Sequence, residues 1–243
     1  TKNASWFGGG MFNRSSSPTI INSIFKENRA SFEAGGMHNN VSPSTIINSV
    51  FTGNTANKGG AIYSNSSSPS ITNTTISNNG SDGFYISGGT SNLLLQNTIL
   101  WDMLTVNSGS YTANHSLIKD LNPPGMSNIN ALNLTADDVF ADYSGGDYTL
   151  KSSSTAINAG NNSYNSTTSD FSGNVRIFNG TIDLGAYEYQ NIASYTISTT
   201  ANPTTDGNVL GAGNYNIGTT ASLTATANTG YAFVSWTENG TVV

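Results

Sequence analysis

The chain has 243 residues, with only 9% charged, 36% hydrophobic, 26 Gly, no Cys and a net charge of −6. So little charge excludes a coiled coil or helical bundle, regularly recurring Ile, Phe and Tyr exclude disorder, and the lack of Cys excludes a disulfide framework or thiol chemistry. The eight Lys and Arg read as scattered, without the basic footprint of a nucleic-acid binder. The longest apolar stretch, around Leu93–Trp101, is far shorter than the ~20 residues a bilayer span needs. The Asn/Thr/Ser-rich, Cys-free composition points to a bacterial extracellular or cell-surface protein. Thr1 falls inside a repeat and no signal peptide precedes it, so the sequence reads as part of a longer one.

Repeats come first in the chain. Gly8-Gly9-Gly10-Met11-Phe12-Asn13, Ser17-Pro18-Thr19-Ile20-Ile21-Asn22 and Phe25-Lys26-Glu27-Asn28 form one unit. It returns as Gly35-Gly36-Met37-His38-Asn39, Ser42-Pro43-Ser44-Thr45-Ile46-Ile47-Asn48 and Phe51-Thr52-Gly53-Asn54, and again from Gly59 to Asn79. A worn copy runs from Gly83 to Leu100, and His115-Ser116-Leu117-Ile118 is a shorter echo. The column Asn22, Asn48, Asn73, Asn97 advances by 26, 25 and 24 residues, as does Phe25, Phe51, Ile76, Leu100. Leu is too scarce for leucine-rich repeats. Short β-type segments between Gly, Asn, Ser and Pro clusters predict an all-β parallel β-helix. Its coils rise by ~4.8 Å, so equivalent residues stack: Phe, Ile and Met in a narrow core, Asn at a bend. The Gly-Gly-Ala-Ile and Phe-x-x-Asn motifs (Gly59–Ile62, Phe25–Asn28, Phe51–Asn54) resemble polymorphic outer-membrane-type β-helix repeats of bacterial adhesins and surface proteins, over residues 1–120.

Next, residues 137–189 contain Asp137-Asp138-Val139-Phe140, Gly146-Asp147-Tyr148-Thr149-Leu150, Ser154-Thr155-Ala156-Ile157-Asn158-Ala159-Gly160, Asp170-Phe171-Ser172-Gly173-Asn174-Val175-Arg176 and Thr181-Ile182-Asp183-Leu184-Gly185-Ala186-Tyr187-Glu188-Tyr189. This string resembles the closing segment of choice-of-anchor Q domains, except for Asp138-Val139-Phe140, where that family has Pro between Asp and the apolar pair. The resemblance implies a right-handed parallel β-helix exported by bacteria and tethered by a C-terminal anchor. Residues 1–189 are then one β-helix, with repeats at about 8–120 and a capping segment at about 137–189 that is expected to plug the open end. Asp170, Arg176, Asp183 and Glu188 are read as a structural ion-pair and hydrogen-bond network of this cap, ahead of a Ca²⁺ site or a catalytic carboxylate pair.

Residues 190–194 read as a linker, and from Tyr195 the character changes to β-branched alternation. Tyr195-Thr196-Ile197-Ser198-Thr199, Gly218 to Ala227 and Gly230-Tyr231-Ala232-Phe233-Val234-Ser235-Trp236 resemble the internalin-type B-repeat, a small all-β module found in tandem in bacterial surface proteins. The chain stops shortly after the Asn239-Gly240 turn signal, so the module at 195–243 is expected to be truncated.

Candidate chemistry is sparse. A polysaccharide lyase or hydrolase on this fold needs acids aligned with Lys or Arg on one face. Glu27, Glu33, Asp82 and Asp102 fall at non-equivalent places, Arg14, Lys26, Arg29 and Lys58 do not align with them, and His38 and His115 stand alone. No Ser-His-Asp or zinc spacing occurs, so no catalytic residue, metal or cofactor is expected. One column remains. If Met11, Met37, Ile62 and Phe84 are core, then Phe12, His38, Tyr63 and Tyr85 face outward as a flat aromatic ridge for sugar faces or a partner surface, or stack there for stability under a neighbouring loop. The expected function is a non-enzymatic adhesin or stalk whose ligands, if any, are glycans or cell-surface polymers. Nucleic acid and membrane insertion are not expected, and the sequence is silent on oligomeric state. The alternatives are a polysaccharide-processing enzyme with its site in missing coils and, third, an ice-binding or self-assembling solenoid. That last reading needs a flat Thr array, whereas Thr19, Thr45 and Thr72 read as shifted in register.

Overall fold

A computed structural model describes residues 1–80, 82–119, 122–191 and 194–243. Positions 192 and 193 of the expected linker lie outside the described residues, as does the expected end of the repeats at 120. Two compact units are formed, Thr1–Gln190 and Asn191–Val243.

The first unit is a parallel β-helix of three sheets. The first sheet stacks Met11–Arg14, Met37–Asn40, Ile62–Asn65, Phe84–Ser87 and Leu104–Val106. The second stacks Thr19–Ile21, Thr45–Ile47, Ser70–Thr72, Asn92–Gln96 and Ser110–Asn114. The third stacks Ile24–Lys26, Val50–Thr52, Thr75–Ser77, Ile99–Leu100, Leu117–Ile118 and Ile129–Asn130. Successive strands within a sheet come from successive coils, and every pair is parallel and in register. The predicted core columns fall inside: Met37, Ile62 and Phe84, and Phe51, Ile76 and Leu100, are fully buried, and the second sheet adds a third column of Ile46, Ile71 and Leu95. Phe25 stacks on Phe51 at 4.5 Å with planes 1° apart.

The corners explain why Asn, Ser and Gly recur. Asn22, Asn48, Asn73 and Asn97 occupy one bend, each left-handed with φ of 48–49°, where Asn is tolerated better than most residues. His115 takes the same place in the next coil, with φ 47°. The expected amide stack is present in two pieces, Asn48 donating to Asn22 and Asn97 to Asn73, while Asn73 donates instead to Asn165. A more continuous ladder stands at the next bend. Asn3, Asn28, Asn54 and Asn79 each donate backbone N–H and Nδ2 to the side-chain oxygens of the equivalent residue in the next coil, at 2.7–3.1 Å, ending on the Asp102 carboxylate. Asp102 thus takes the place of an Asn at the end of this ladder. Such directional ladders satisfy backbone donors that the turns leave unpaired. The paired glycines have a different cause: a Cβ at Gly9, Gly35 or Gly60 would overlap the backbone of the following coil.

The segment beyond the repeats does not behave as an end plug. It lies along the outer face of the third sheet. Tyr148 Oη accepts from Thr52 Oγ1 at 2.9 Å, Ala186 N donates to Thr75 Oγ1 at 2.9 Å, and Gly185 N donates to the Asn97 carbonyl at 2.8 Å. Phe140–Asp142 and Asp147–Leu150 form an antiparallel hairpin in this layer. Val139, Phe140, Tyr148, Leu150, Ala156 and Leu184 form a second core with the outward-facing Ile99 and Leu117, separate from the cluster inside the coil. The physical reason is in the strands themselves. Val50-Phe51, Ile99-Leu100 and Leu117-Ile118 are adjacent apolar pairs, so the sheet has two faces to bury. Where the layer is absent, at the first coil, the equivalent Ile24 is 43% exposed.

The second unit is built of antiparallel pairs: Ser194–Ile197 with Gly213–Asn216, Gly207–Leu210 with Thr224–Ala227, and Thr237–Glu238 with Thr241–Val242. None of its described residues is fully buried.

Candidate functional site

The outward column of the first sheet is a continuous ring stack. Phe12 meets His38 at 4.9 Å, His38 meets Tyr63 at 5.0 Å, and Tyr63 meets Tyr85 at 5.3 Å, with planes 9–23° apart. Strand register puts these residues directly opposite one another. The column is not an open ridge, however. Phe12 is 48% exposed, but His38 and Tyr63 retain only 3% and 6% of their surface, and the ring faces that would pack on a sugar are largely taken up by each other.

What covers them is the fourth side of the coil, between the Asn ladder and the first sheet. Here Ala4–Phe7 pairs with Arg29–Glu33, and Glu33 bridges to Lys58 in the next coil. This wall tapers along the axis: the connection is residues 29–36 in one coil, 55–61 in the next, and Met103 alone two coils further on. Over the wide part, Glu33 Oε2 lies 3.1 Å from His38 Nε2, Phe7 packs edge-on to the imidazole at 5.9 Å, and Lys58 Nζ stands 5.3 Å from the Tyr85 ring centre. His38 is therefore not isolated, and Glu33 is aligned with a cation, both against expectation. Burial outweighs the Glu33 contact and lowers the His38 pKa, while burial raises that of Tyr63. A carboxylate on an imidazole nitrogen is how a general base is oriented, but this ring is enclosed between Phe12 and Tyr63.

The wall also carries aromatic residues that the sequence reading passed over. Trp6 stacks on Phe32 at 5.3 Å, and Phe32 on Phe7 at 5.7 Å. Trp6 is 68% exposed, Phe7 and Phe32 45% each. The available signal was Asn3: aligning it with Asn28 places Ala4–Phe7 opposite Arg29–Glu33. On the second sheet Thr19 and Thr45 are in register with each other and with Ser70, and only Thr72 falls in the other outward column, beside Ile47.

The predicted charge cluster of the capping segment does come together. Asp170, Arg176, Asp183 and Glu188 are each at most 4% exposed. Asp170 accepts from Asn174 N and Glu188 N, Asp183 from Asn158 N and Tyr189 N, and Glu188 from Phe178 N and Asp183 N. Arg176 Nη2 donates to the Asp183 and Gly185 carbonyls at 3.0 and 2.7 Å, and Nη1 is 3.8 Å from Glu188. Burial raises Glu188 to about 7 and also raises Asp183. The carboxylates are spent on backbone N–H groups of an irregular chain. Among the described residues, no group of three or more His, Asp or Glu is placed to hold a metal ion.

A search of curated proteins returns no match to this chain. The family model of the divergent InlB B-repeat domain matches residues 197–243, which covers all but the first strand of the second unit. That family is associated with bacterial surface proteins, so the chain joins a parallel β-solenoid to a module of bacterial surface type.

Proposed function

We propose that this chain is a non-enzymatic, secreted or surface-tethered bacterial protein that holds its β-helix out as a lateral contact surface for cell-surface polymers. The B-repeat match at residues 197–243 carries this reading. The resemblances of residues 1–120 to polymorphic repeats and of 137–189 to choice-of-anchor Q domains add to it. So does the enclosure of the Glu33–His38 pair, since a solenoid that contacts partners along its flank needs no reacting group. The test of location is surface proteolysis and antibody labelling of intact bacteria that encode the protein. Signal only after lysis would overturn it.

A second reading rests on one observation: Glu33, His38, Lys58 and Tyr63 gather on one flank, as a polysaccharide-processing enzyme would require. A polymer-degradation screen separates the two. Product release abolished by Glu33→Gln would replace the non-enzymatic reading with this one.

A further inference from the structure

The cations of this chain are not evenly shared. Residues 1–60 hold Lys2, Arg14, Lys26, Arg29 and Lys58 against only Glu27 and Glu33, a net charge of +3, whereas residues 61–243 carry −9. Glu27 is paired with Lys2 and Lys26, and Glu33 with His38. That leaves Arg14, Arg29 and Lys58 in no ion pair among the described residues. All three lie on, or in register with, the strands that carry the exposed aromatic residues. Arg14 is two residues beyond Phe12 on the same outward side of its strand. Arg29 opens the strand that bears Phe32, and Lys58 is in register with Glu33 next to it.

We infer that the wall and first-sheet face formed by Trp6, Phe32, Phe12, Arg14, Arg29 and Lys58 bind an anionic polysaccharide whose charge is a carboxylate on a pyranose ring. This rests on the proposed contact role and names its ligand class. Exposed aromatic rings offer apolar faces and edges to the C–H surface of a sugar. The offset stacking of Trp6 on Phe32 leaves much of both rings open, as their exposure records. A guanidinium fits a carboxylate with two parallel hydrogen bonds. Unpaired cations around rings are complementary to a polymer that alternates apolar ring surface with negative charge. A neutral glycan would leave the cations unused, and a flat protein partner would not need them. Phe32 remains 45% exposed although coils lie on both sides of it, so its exposure belongs to the flank.

The experiment is isothermal titration of the full chain with three polyuronates, polygalacturonate, alginate and hyaluronate, alongside methyl-esterified polygalacturonate and single-stranded DNA. At least one polyuronate is expected to bind, and to bind less tightly as salt rises. The esterified polymer and DNA should bind at least tenfold more weakly. Trp6→Ala with Phe32→Ala, and separately Arg14→Gln with Arg29→Gln, should each weaken binding at least tenfold with unchanged circular dichroism. Lys151→Gln, a cation removed elsewhere, should leave it unaltered. If the aromatic pair proves needed for folding, the exposed arginine pair decides alone. Failure of all three polyuronates to bind, equal binding of the ester or of DNA, equal weakening by Lys151→Gln, or self-association abolished by the aromatic substitutions would each overturn the assignment. None of these outcomes bears on where the protein resides, which surface proteolysis reads separately.

Discussion

At the residue scale, stability is carried by stacked columns in which each side chain packs on its equivalents in the coils above and below. Phe51 lies between Phe25 and Ile76 in such a column and is fully buried. Phe51→Ala should therefore cost roughly 3–5 kcal/mol in chemical denaturation, because neighbours in a stack pinned by strand register have little freedom to close the cavity. Asn54 works through hydrogen bonds: its Oδ1 accepts from Asn28 N and Nδ2, and its own Nδ2 reaches the Phe25 carbonyl and Asn79. Asn54→Ala strands buried donors on Asn28, and a loss of about 1–3 kcal/mol is expected from the same measurement. Protonation adds a signed effect. Burial holds Glu188 near 7, above its ordinary value, so the folded chain takes up a proton that the unfolded chain does not. That contribution is fully present below about pH 4.5 and is lost as pH rises through 7. Asp183 is displaced in the same direction, with Arg176 and Asp170 as the other charges acting on it. His38 is displaced downward, so its contribution is present above about 6.5 and lost as pH falls. Thermal midpoints taken from pH 5 to 8 should show the downward slope with rising pH more steeply in His38→Gln than in the native chain, and flattened in Glu188→Gln. A slope unchanged in Glu188→Gln would show that this carboxylate does not titrate in the window.

At the element scale, the third sheet and the layer of residues 139–189 are the two halves of one packing problem. The network around Arg176 shapes the layer, and Thr75, Asn97 and Thr52 attach it to the coil. Arg176→Met leaves three buried carboxylates without their cation, which should cost about 3–5 kcal/mol. Hydrogen exchange should then show amides of residues 139–189 losing protection while Ile46, Ile71 and Leu95 of the second sheet keep theirs. Loss of protection throughout would mean that the layer holds the coil together and is not simply mounted on it. How far the sequence foretold all this follows from which interactions repeat. The core columns and the Asn22 bend were legible because stacking in register imposes one residue type at one spacing. The burial of His38 was not, because it depends on the length of the wall, which changes from coil to coil and so leaves no periodic trace. The side on which residues 139–189 pack was in principle legible: Ile99-Leu100 and Leu117-Ile118 break the alternation expected of a strand with one wet face. The Asp170–Glu188 cluster was found because opposite charges are rare in this chain, so their local density stood out.

At the scale of the whole molecule, two units with different internal order lie in one chain. The β-helix unit has two hydrophobic cores and a continuous ladder from Asn3 to Asp102. The second unit leaves Tyr231, Phe233 and Val234 at least half exposed and fully buries none of its described residues. A unit of 53 residues, Asn191–Val243, has little apolar surface to set against the entropy of ordering its chain. Its stability should therefore be low, and independent of the larger unit. A chain ending at Gln190 should keep the main thermal transition of the full chain within about 2 °C, since a shift of that size in a domain of 150–250 residues corresponds to only about 1 kcal/mol or less. The full chain should show one additional transition, weaker and at lower temperature, that the shortened chain lacks. Calorimetry of the two chains side by side measures both expectations. A fall of several degrees in the main transition on removing residues 191–243 would show instead that the surface-type module stabilises the β-helix, and that the two do not act as separate bodies.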